Sequence, residues 1–322
     1  MKPDMQERLR QEFAVKTGNV SFRLPKHILF DRVGSDHMVH LSSEAVVANM
    51  QKDPAAFEGW VLAMRALPGE NVCQSIELSW DAPDDLTDKQ YQRFLYRLIR
   101  FRQQAEWLTI APACKSMLLA SLVLRPDGSP VPDNTFIVGQ SSSRDMGIGE
   151  STASREEQYL GLLFCEPPSE LLRVLSWKGT MQRQLPVGLF EESVSKLTQV
   201  FTGGKSALDL WASDPEKGVA LFELKTADNC KIGAVTELFF YACLIRDVAD
   251  GVFGFKGDGK TEKSIREAKQ VSGFIVSAKI HPLLDNAKLF EMLNSAFASR
   301  GMAFGYIEYD DDLRVRRVIP KR

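Results

Sequence analysis

Three residues, Asp209, Glu223 and Lys225, carry charge where the surrounding sequence reads as buried strand. Two apolar runs, Ala207-Leu208-Asp209-Leu210-Trp211 and Val219-Ala220-Leu221-Phe222-Glu223-Leu224-Lys225, flank the turn-forming stretch from Ser213 to Gly218, which is a hairpin pattern. Strand alternation puts Glu223 and Lys225 on one face and Phe222 and Leu224 on the other. If Asp209 shares the first face, two carboxylates and one ammonium meet in a single patch. Carboxylates so placed repel and stay charged only with a cation between them. Hard oxygen donors suit Mg2+, which keeps several waters and takes one or two carboxylates plus substrate phosphates. Lys225 could then position a water or meet charge developing on a phosphate. A Glu-x-Lys pair on a half-exposed strand is commonly just a solvated face. Here almost every neighbouring position is apolar, the pattern of strands covered on both sides, so the charges require a reason.

This arrangement resembles the PD-(D/E)xK nuclease superfamily, whose pattern is an acid on one strand and Glu-x-Lys on the next. The resemblance covers Asp209, Glu223 and Lys225 and extends to the helix that follows. RecB-type members carry Gln-x-x-x-Tyr there, where this chain reads Glu237-Leu238-Phe239-Phe240-Tyr241. Glu237 and Tyr241 are four apart and share a helix face; the Glu in place of Gln departs from the pattern. The resemblance implies a restriction-endonuclease-like α/β domain, a mixed sheet flanked by helices, over residues 156–322. It implies a cytoplasmic metal-dependent nuclease, an endonuclease or an exonuclease, that hydrolyses phosphodiester bonds in DNA, with RNA the lesser alternative. Asp209 and Glu223 would hold Mg2+ or Mn2+ with the backbone carbonyl of Leu224, Lys225 would act on the water or the phosphate, and Glu237 and Tyr241 would act on substrate or on Lys225. Many members draw one more carboxylate from a helix before the first acid. On the helix expected at Leu189–Phe201, Glu191 falls nearer than Glu192 to the apolar stripe of Phe190, Val194, Leu197 and Phe201 and is the candidate; a helix N-terminal acid facing the dipole accounts for it equally. The rival from another class is a non-catalytic nucleic-acid-binding or assembly module that keeps the fold.

The elements that must position these residues sit in a chain of 322 residues, enough for two domains. Hydrophobic residues at 44% and charged residues at 25% are ordinary globular values. A net charge of −2 supplies no global attraction for nucleic acid, so DNA binding must rest on local basic patches. Five scattered cysteines without a C-x-x-C pair argue against a disulfide framework or zinc ribbon. The charged start, MKPDMQERLRQEF, holds no apolar signal core, and no run reaches membrane-spanning length, so a cytoplasmic location without membrane contact is expected. The oligomeric state stays open, a homodimer included.

An N-terminal α+β domain is expected over 1–138, with no assigned role. It reads as a helix near 4–16, strands near 28–41 around Gly34-Ser35, a Ser42-capped helix, a helix at Phe57–Ala66 closed by Pro68-Gly69, and a strand at Cys73–Trp80. A strong amphipathic helix follows at 87–107, with Tyr91, Leu95, Leu98 and Phe94 or Phe101 on the apolar side and Arg93, Arg97, Arg100 and Arg102 on the basic side. That basic side reads as a solvated face or as a phosphate contact. Residues 116–125 read as a buried strand. His37 and His40 have metal-ligand spacing without a third ligand and are better read as surface or core histidines. The Gly- and Ser-rich stretch 139–155 reads as a linker or mobile loop. Helix signals at 156–163 and 169–175 open the second domain. Gly203-Gly204-Lys205-Ser206 is no phosphate loop, because position 199 is Gln199 and helix precedes strand rather than following it; the glycines read as a helix stop. Beyond the Glu-x-Lys strand come a helix at 234–249, a polar lysine-rich stretch at 254–269, a strand at 271–280, a helix at 285–300 and a strand at 303–309, a crossover unit. The basic tail, Arg314, Arg316, Arg317, Lys321 and Arg322, could lie along a phosphodiester backbone.

Overall fold

The computed structural model describes residues 5–33, 36–66, 73–132, 134–141, 152–202, 206–227 and 231–320. Several expectations therefore fall outside the described residues: the turns at Gly34-Ser35 and Pro68-Gly69, the middle of the 139–155 stretch, the Gly203-Gly204 stop, and Lys321 and Arg322. The chain is mixed α/β, with several sheets flanked by helices, and divides into two compact units. The first holds Met1–Pro132, Lys231–Thr236 and His281–Met292; the second holds Asp133–Cys230, Glu237–Ile280 and Leu293–Arg322.

In the first unit the elements are α1 (Met5–Thr17), β1 (Ile28–Val33), β2 (Asp36–Leu41), α2 (Ser43–Val46), α3 (Phe57–Ala66), β3 (Ile76–Trp80), α4 (Lys89–Gln104) and β4 (Leu108–Ile110). The four strands form one sheet in chain order. Alternation decides its faces: Ile28, Phe30, Val39, Leu41, Ile76, Leu78 and Trp80 are buried, whereas Leu29, Asp31 and Thr109 are exposed. His37 is buried and His40 half-buried; three apart on β2, they point to opposite faces and cannot share a metal. His40 instead bonds the Ser79 hydroxyl at 3.0 Å and the Asp81 carboxylate at 3.2 Å.

Helix α4 starts as its sequence requires, with the Asp88 carboxylate accepting from the Gln90 and Tyr91 amides. Its basic side corrects the expectation of a solvated or phosphate-facing surface: Arg93, Arg97 and Arg100 are buried, and of the four only Arg102 is exposed. Arg97 Nη1 donates to both oxygens of the buried Glu58 at 2.9 and 2.7 Å, and its Nη2 donates to the Ala55 carbonyl at 3.1 Å. Thr236 donates its hydroxyl to the same carboxylate at 3.0 Å. Arg100 caps the Gly128 carbonyl at 2.9 Å. Composition shows a charged helix face; only packing reveals that a carboxylate and carbonyls wait behind it. The strand expected at 116–125 is likewise absent, because Pro112–Ala120 winds as a 3-10 helix that leaves Leu119 exposed.

In the second unit the elements are β5 (Phe136–Gly139), α5 (Thr152–Cys165), α6 (Glu170–Leu175), β6 (Met181–Pro186), β7 (Gly188–Glu191), β8 (Ala207–Asp214), β9 (Gly218–Lys225), α7 (Gly233–Ala249), β10 (Gly254–Phe255), α8 (Gly259–Arg266), β11 (Val271–Ser277), α9 (Ala287–Phe297), β12 (Met302–Tyr309) and β13 (Val315–Ile319). The first residues of α7 and α9 cluster with the other unit. Six strands make the main sheet in the order β13-β12-β11-β9-β8-β6, with β11 parallel to both β9 and β12 and the outer pairs antiparallel. One face carries Leu210, Phe222, Leu224, Phe274, Ile307 and Tyr309 under Phe164 of α5 and Leu171, Leu172 and Leu175 of α6. On the other face Phe239 of α7 and Phe297 of α9 meet Phe304. At Gly273 the helix comes closest, since a Cβ there would lie 3.0 Å from a methyl of Leu238.

The helix expected at Leu189–Phe201 does not form. Its first residues are strand β7, antiparallel to β5 in a separate three-stranded sheet, and the Ser193–Thr198 segment closes a turn through hydroxyl bonds. A short apolar run serves a buried strand as well as a helix, and partners outside the run decide between them. The basic tail is partly compensated: Arg317 pairs with Glu308 at 2.9 Å and Arg316 approaches Asp310 at 3.8 Å.

Removing one partner of a buried ion pair leaves an uncompensated charge, so Arg97→Ala is expected to cost about 3–5 kcal/mol of unfolding free energy. Urea denaturation checks this; a loss within the range of an ordinary surface substitution would show that Glu58 is not held by Arg97.

Candidate active site

The hairpin that carries the charged patch is set by its turn. Asp214 accepts the amides of Glu216 and Lys217 at 2.9 and 3.3 Å and that of Lys178 at 2.9 Å. Gly218 takes φ +114°, and any Cβ there would lie 2.2 Å from the Gln270 carbonyl, so only glycine fits. The turn fixes Leu210 opposite Phe222. Continued by one residue, that register sets Asp209 across from Glu223, and alternation gives Asp209, Glu223 and Lys225 a common face. It is the face that α7 covers.

From that helix Glu237 and Tyr241, one turn apart, complete the cluster. The Lys225 ammonium lies 2.7 Å from Glu223 Oε1 and 2.7 Å from Glu237 Oε2, and the three side chains are 6%, 7% and 2% exposed. Tyr241 donates its hydroxyl to Glu237 Oε1 at 3.0 Å. Asp209, half-buried, accepts the Leu224 amide at 2.9 Å. Asp209, Glu223, Lys225, Glu237 and Tyr241 thus stand at the start of β8, at the end of β9 and on the adjoining turns of α7.

The electrostatics follow from acids outnumbering bases out of water. Burial pushes the Asp209 carboxyl from the ordinary 3.8 to about 7; Glu157 and Glu237 push the same way, while Lys225 and the Leu224 amide pull it down. Glu223 is held well above the carboxylate range by burial, then by Glu237 and Asp209. For Lys225 burial is the largest single effect and disfavours the ammonium, but Glu223, Glu237, Asp209 and Glu157 together outweigh it and keep it charged.

Glu191 stands on a strand and not on the expected helix: it ends β7 opposite Phe136, its amide bonded to the Thr198 carbonyl at 2.8 Å. Glu157 of α5 adds negative charge to the field that acts on Asp209 and Lys225.

Among the described residues no three His, Cys, Asp or Glu side chains form a cage for a metal ion. Mg2+ asks for less, one or two carboxylates with water and phosphate making up the octahedron. Asp209 and Glu223, facing the same way on paired strands with other acids raising their proton affinity, are a donor set of that kind. Comparison with known protein families, with characterised proteins and with solved structures finds no match for this chain.

A carboxyl with a raised native pKa binds more protons folded than unfolded, so its contribution to stability is full below its unfolded pKa and is lost as pH rises through the native one. For Asp209 that window runs from the ordinary 3.8 to about 7. With chelator present, Asp209→Asn is therefore expected to gain on the wild type in melting temperature as pH rises across it. Thermal unfolding from pH 4.5 to 8 measures the difference; a gap that stays constant with pH would refute the desolvated carboxyl.

Proposed function

We propose that this chain is a metal-dependent nuclease of the PD-(D/E)xK type, acting on DNA in preference to RNA. The observation that supports it most is the meeting of Asp209, Glu223 and Lys225 on one face of two paired strands, with Glu237 and Tyr241 brought in from the following helix. Charge placed in strands this apolar is costly unless it is used. The parallel core strands and the flanking helices agree with a restriction-endonuclease-like architecture.

In this reading Asp209 and Glu223, with the Leu224 carbonyl, hold Mg2+ or Mn2+. The ion supplies Lewis-acid stabilisation of phosphoryl charge and lowers the pKa of a coordinated water. The residues do the positioning. The Leu224 amide orients the Asp209 carboxylate, and Lys225, kept protonated by the surrounding acids, donates to the attacking water or to the charge that grows on the phosphoryl oxygens. Burial strengthens each of these interactions, because little water competes with them. Lys260, exposed on α8, is a cation available for sequence-independent backbone contact.

The test is cleavage of end-labelled single- and double-stranded DNA and of RNA with Mg2+ or Mn2+, against chelator. Lys225→Ala and Glu223→Gln are expected to lower the rate by about 10²–10³-fold, as for loss of a group that stabilises transition-state charge. A folded wild type that cleaves none of the three substrates with either metal would leave a non-catalytic binding module as the better account.

A further inference from the structure

The Lys225 ammonium occupies the position a cation would take beside Glu223. It bonds one oxygen of that carboxylate at 2.7 Å and bridges to Glu237, also at 2.7 Å, inside a cluster almost closed to solvent. A divalent ion entering on Asp209 and Glu223 must therefore compete with an internal counter-ion, and once in place it repels the ammonium it has displaced. A lysine with Glu223 as its sole anionic partner would either block the ion or be driven out by it. Glu237 changes that balance. It lies on a different element, α7, its second oxygen is held by the Tyr241 hydroxyl at 3.0 Å, and it offers the ammonium an anionic partner that the metal need not take.

Resting on the nuclease reading, we infer that Glu237 is a positioning residue that receives Lys225 when a divalent cation takes Glu223. It thereby sets both the metal affinity of the site and the retention of the lysine beside it. No proton moves in this exchange. Glu223 trades an ammonium N–H for the metal, and Lys225 keeps its charge and its contact with Glu237. A glutamine at position 237 could accept a hydrogen bond but would provide no compensating charge, so the ammonium would compete harder for Glu223 and, once displaced by the metal, would leave the cluster. The glutamate at this position thus makes metal entry and lysine retention compatible in a dry cluster.

The experiment is Mn2+ titration of the full chain by calorimetry and by the electron paramagnetic resonance of free Mn2+, without substrate. Glu237→Gln is expected to weaken Mn2+ binding by about tenfold, the size of effect typical for a partner behind a metal ligand. Lys225→Met, which removes the competitor, is expected to tighten it. In the Lys225→Met background Glu237→Gln should change affinity by less than about twofold, because its effect runs through the lysine; the double-mutant cycle isolates that coupling. Equal weakening in both backgrounds would mean that Glu237 acts only as a distant negative charge, and an unchanged or weaker affinity in Lys225→Met would mean that the lysine does not compete. Either result overturns the inference while leaving Mn2+ binding, and the nuclease reading, intact. A folded wild type that takes up no Mn2+ overturns both. Should Lys225→Met fail to fold, acylation of Lys225 followed by peptide mapping tests the same point in chains that retain the lysine. Mn2+ is expected to raise its labelling in Glu237→Gln and to leave it low in the wild type; equal labelling in the two counts against the inference.

Discussion

A buried charge must have a partner, and the second unit is arranged around supplying partners to one ammonium and its neighbouring acids. Taking an ion out of water costs several kcal/mol even after relaxation, and a single opposing charge seldom returns more than that cost. Lys225 meets the condition with two carboxylates at 2.7 Å, one from its own strand and one from α7. The acids in turn depend on it, since burial pushes both Glu223 and Asp209 toward protonation and Glu237 adds to the push on each. Such a cluster is a poor way to gain stability compared with apolar packing. Its retention in strands otherwise made of Leu, Val, Ala and Phe is the reason for seeking chemistry there.

The fold delivers the cluster through ordinary means. A tight turn capped by Asp214 and permitted by Gly218 sets the β8 to β9 register, and period-two alternation then gives the charges a common face. The parallel run of β9 beside β11 ends at Lys225 and Ser277, and the carboxyl ends of strands in open α/β sheets are where ligands are generally received. Helix α7 reaches that edge because Gly273 lets Leu238 sit against the sheet, which places its neighbour Glu237 beside Lys225. In the first unit the same rule pairs Glu58 with Arg97, the carboxylate accepting from the guanidinium and from the Thr236 hydroxyl.

The places where sequence reading failed share a cause. At 189–201 a helical repeat of apolar residues was matched by a strand that paired with β5, and nothing within the run records that β5 is near. At 116–125 a hydrophobic run became a 3-10 helix with one leucine in water. On α4 three arginines were indistinguishable from a solvated face until the carboxylate of Glu58 and the carbonyls of Ala55 and Gly128 appeared against them. Each error concerns what lies opposite a segment, whereas the segment's own periodicity was read correctly for α3, α7, β9 and β12.

Local chemistry was enough to mark Asp209, Glu223 and Lys225, because charges in apolar strands are visible in one dimension; Glu237 and Tyr241 were marked by the resemblance, as an i, i+4 pair on the following helix. It was also enough to place the turn between β8 and β9, whose residue types permit little else. Tertiary structure alone decided that Glu191 ends a strand and not a helix, that Lys225 is shared between two elements, and that most of the α4 cations face inward. The physical reason is that the field at a buried group is a sum over everything packed around it, and packing partners far apart in the chain leave no local trace.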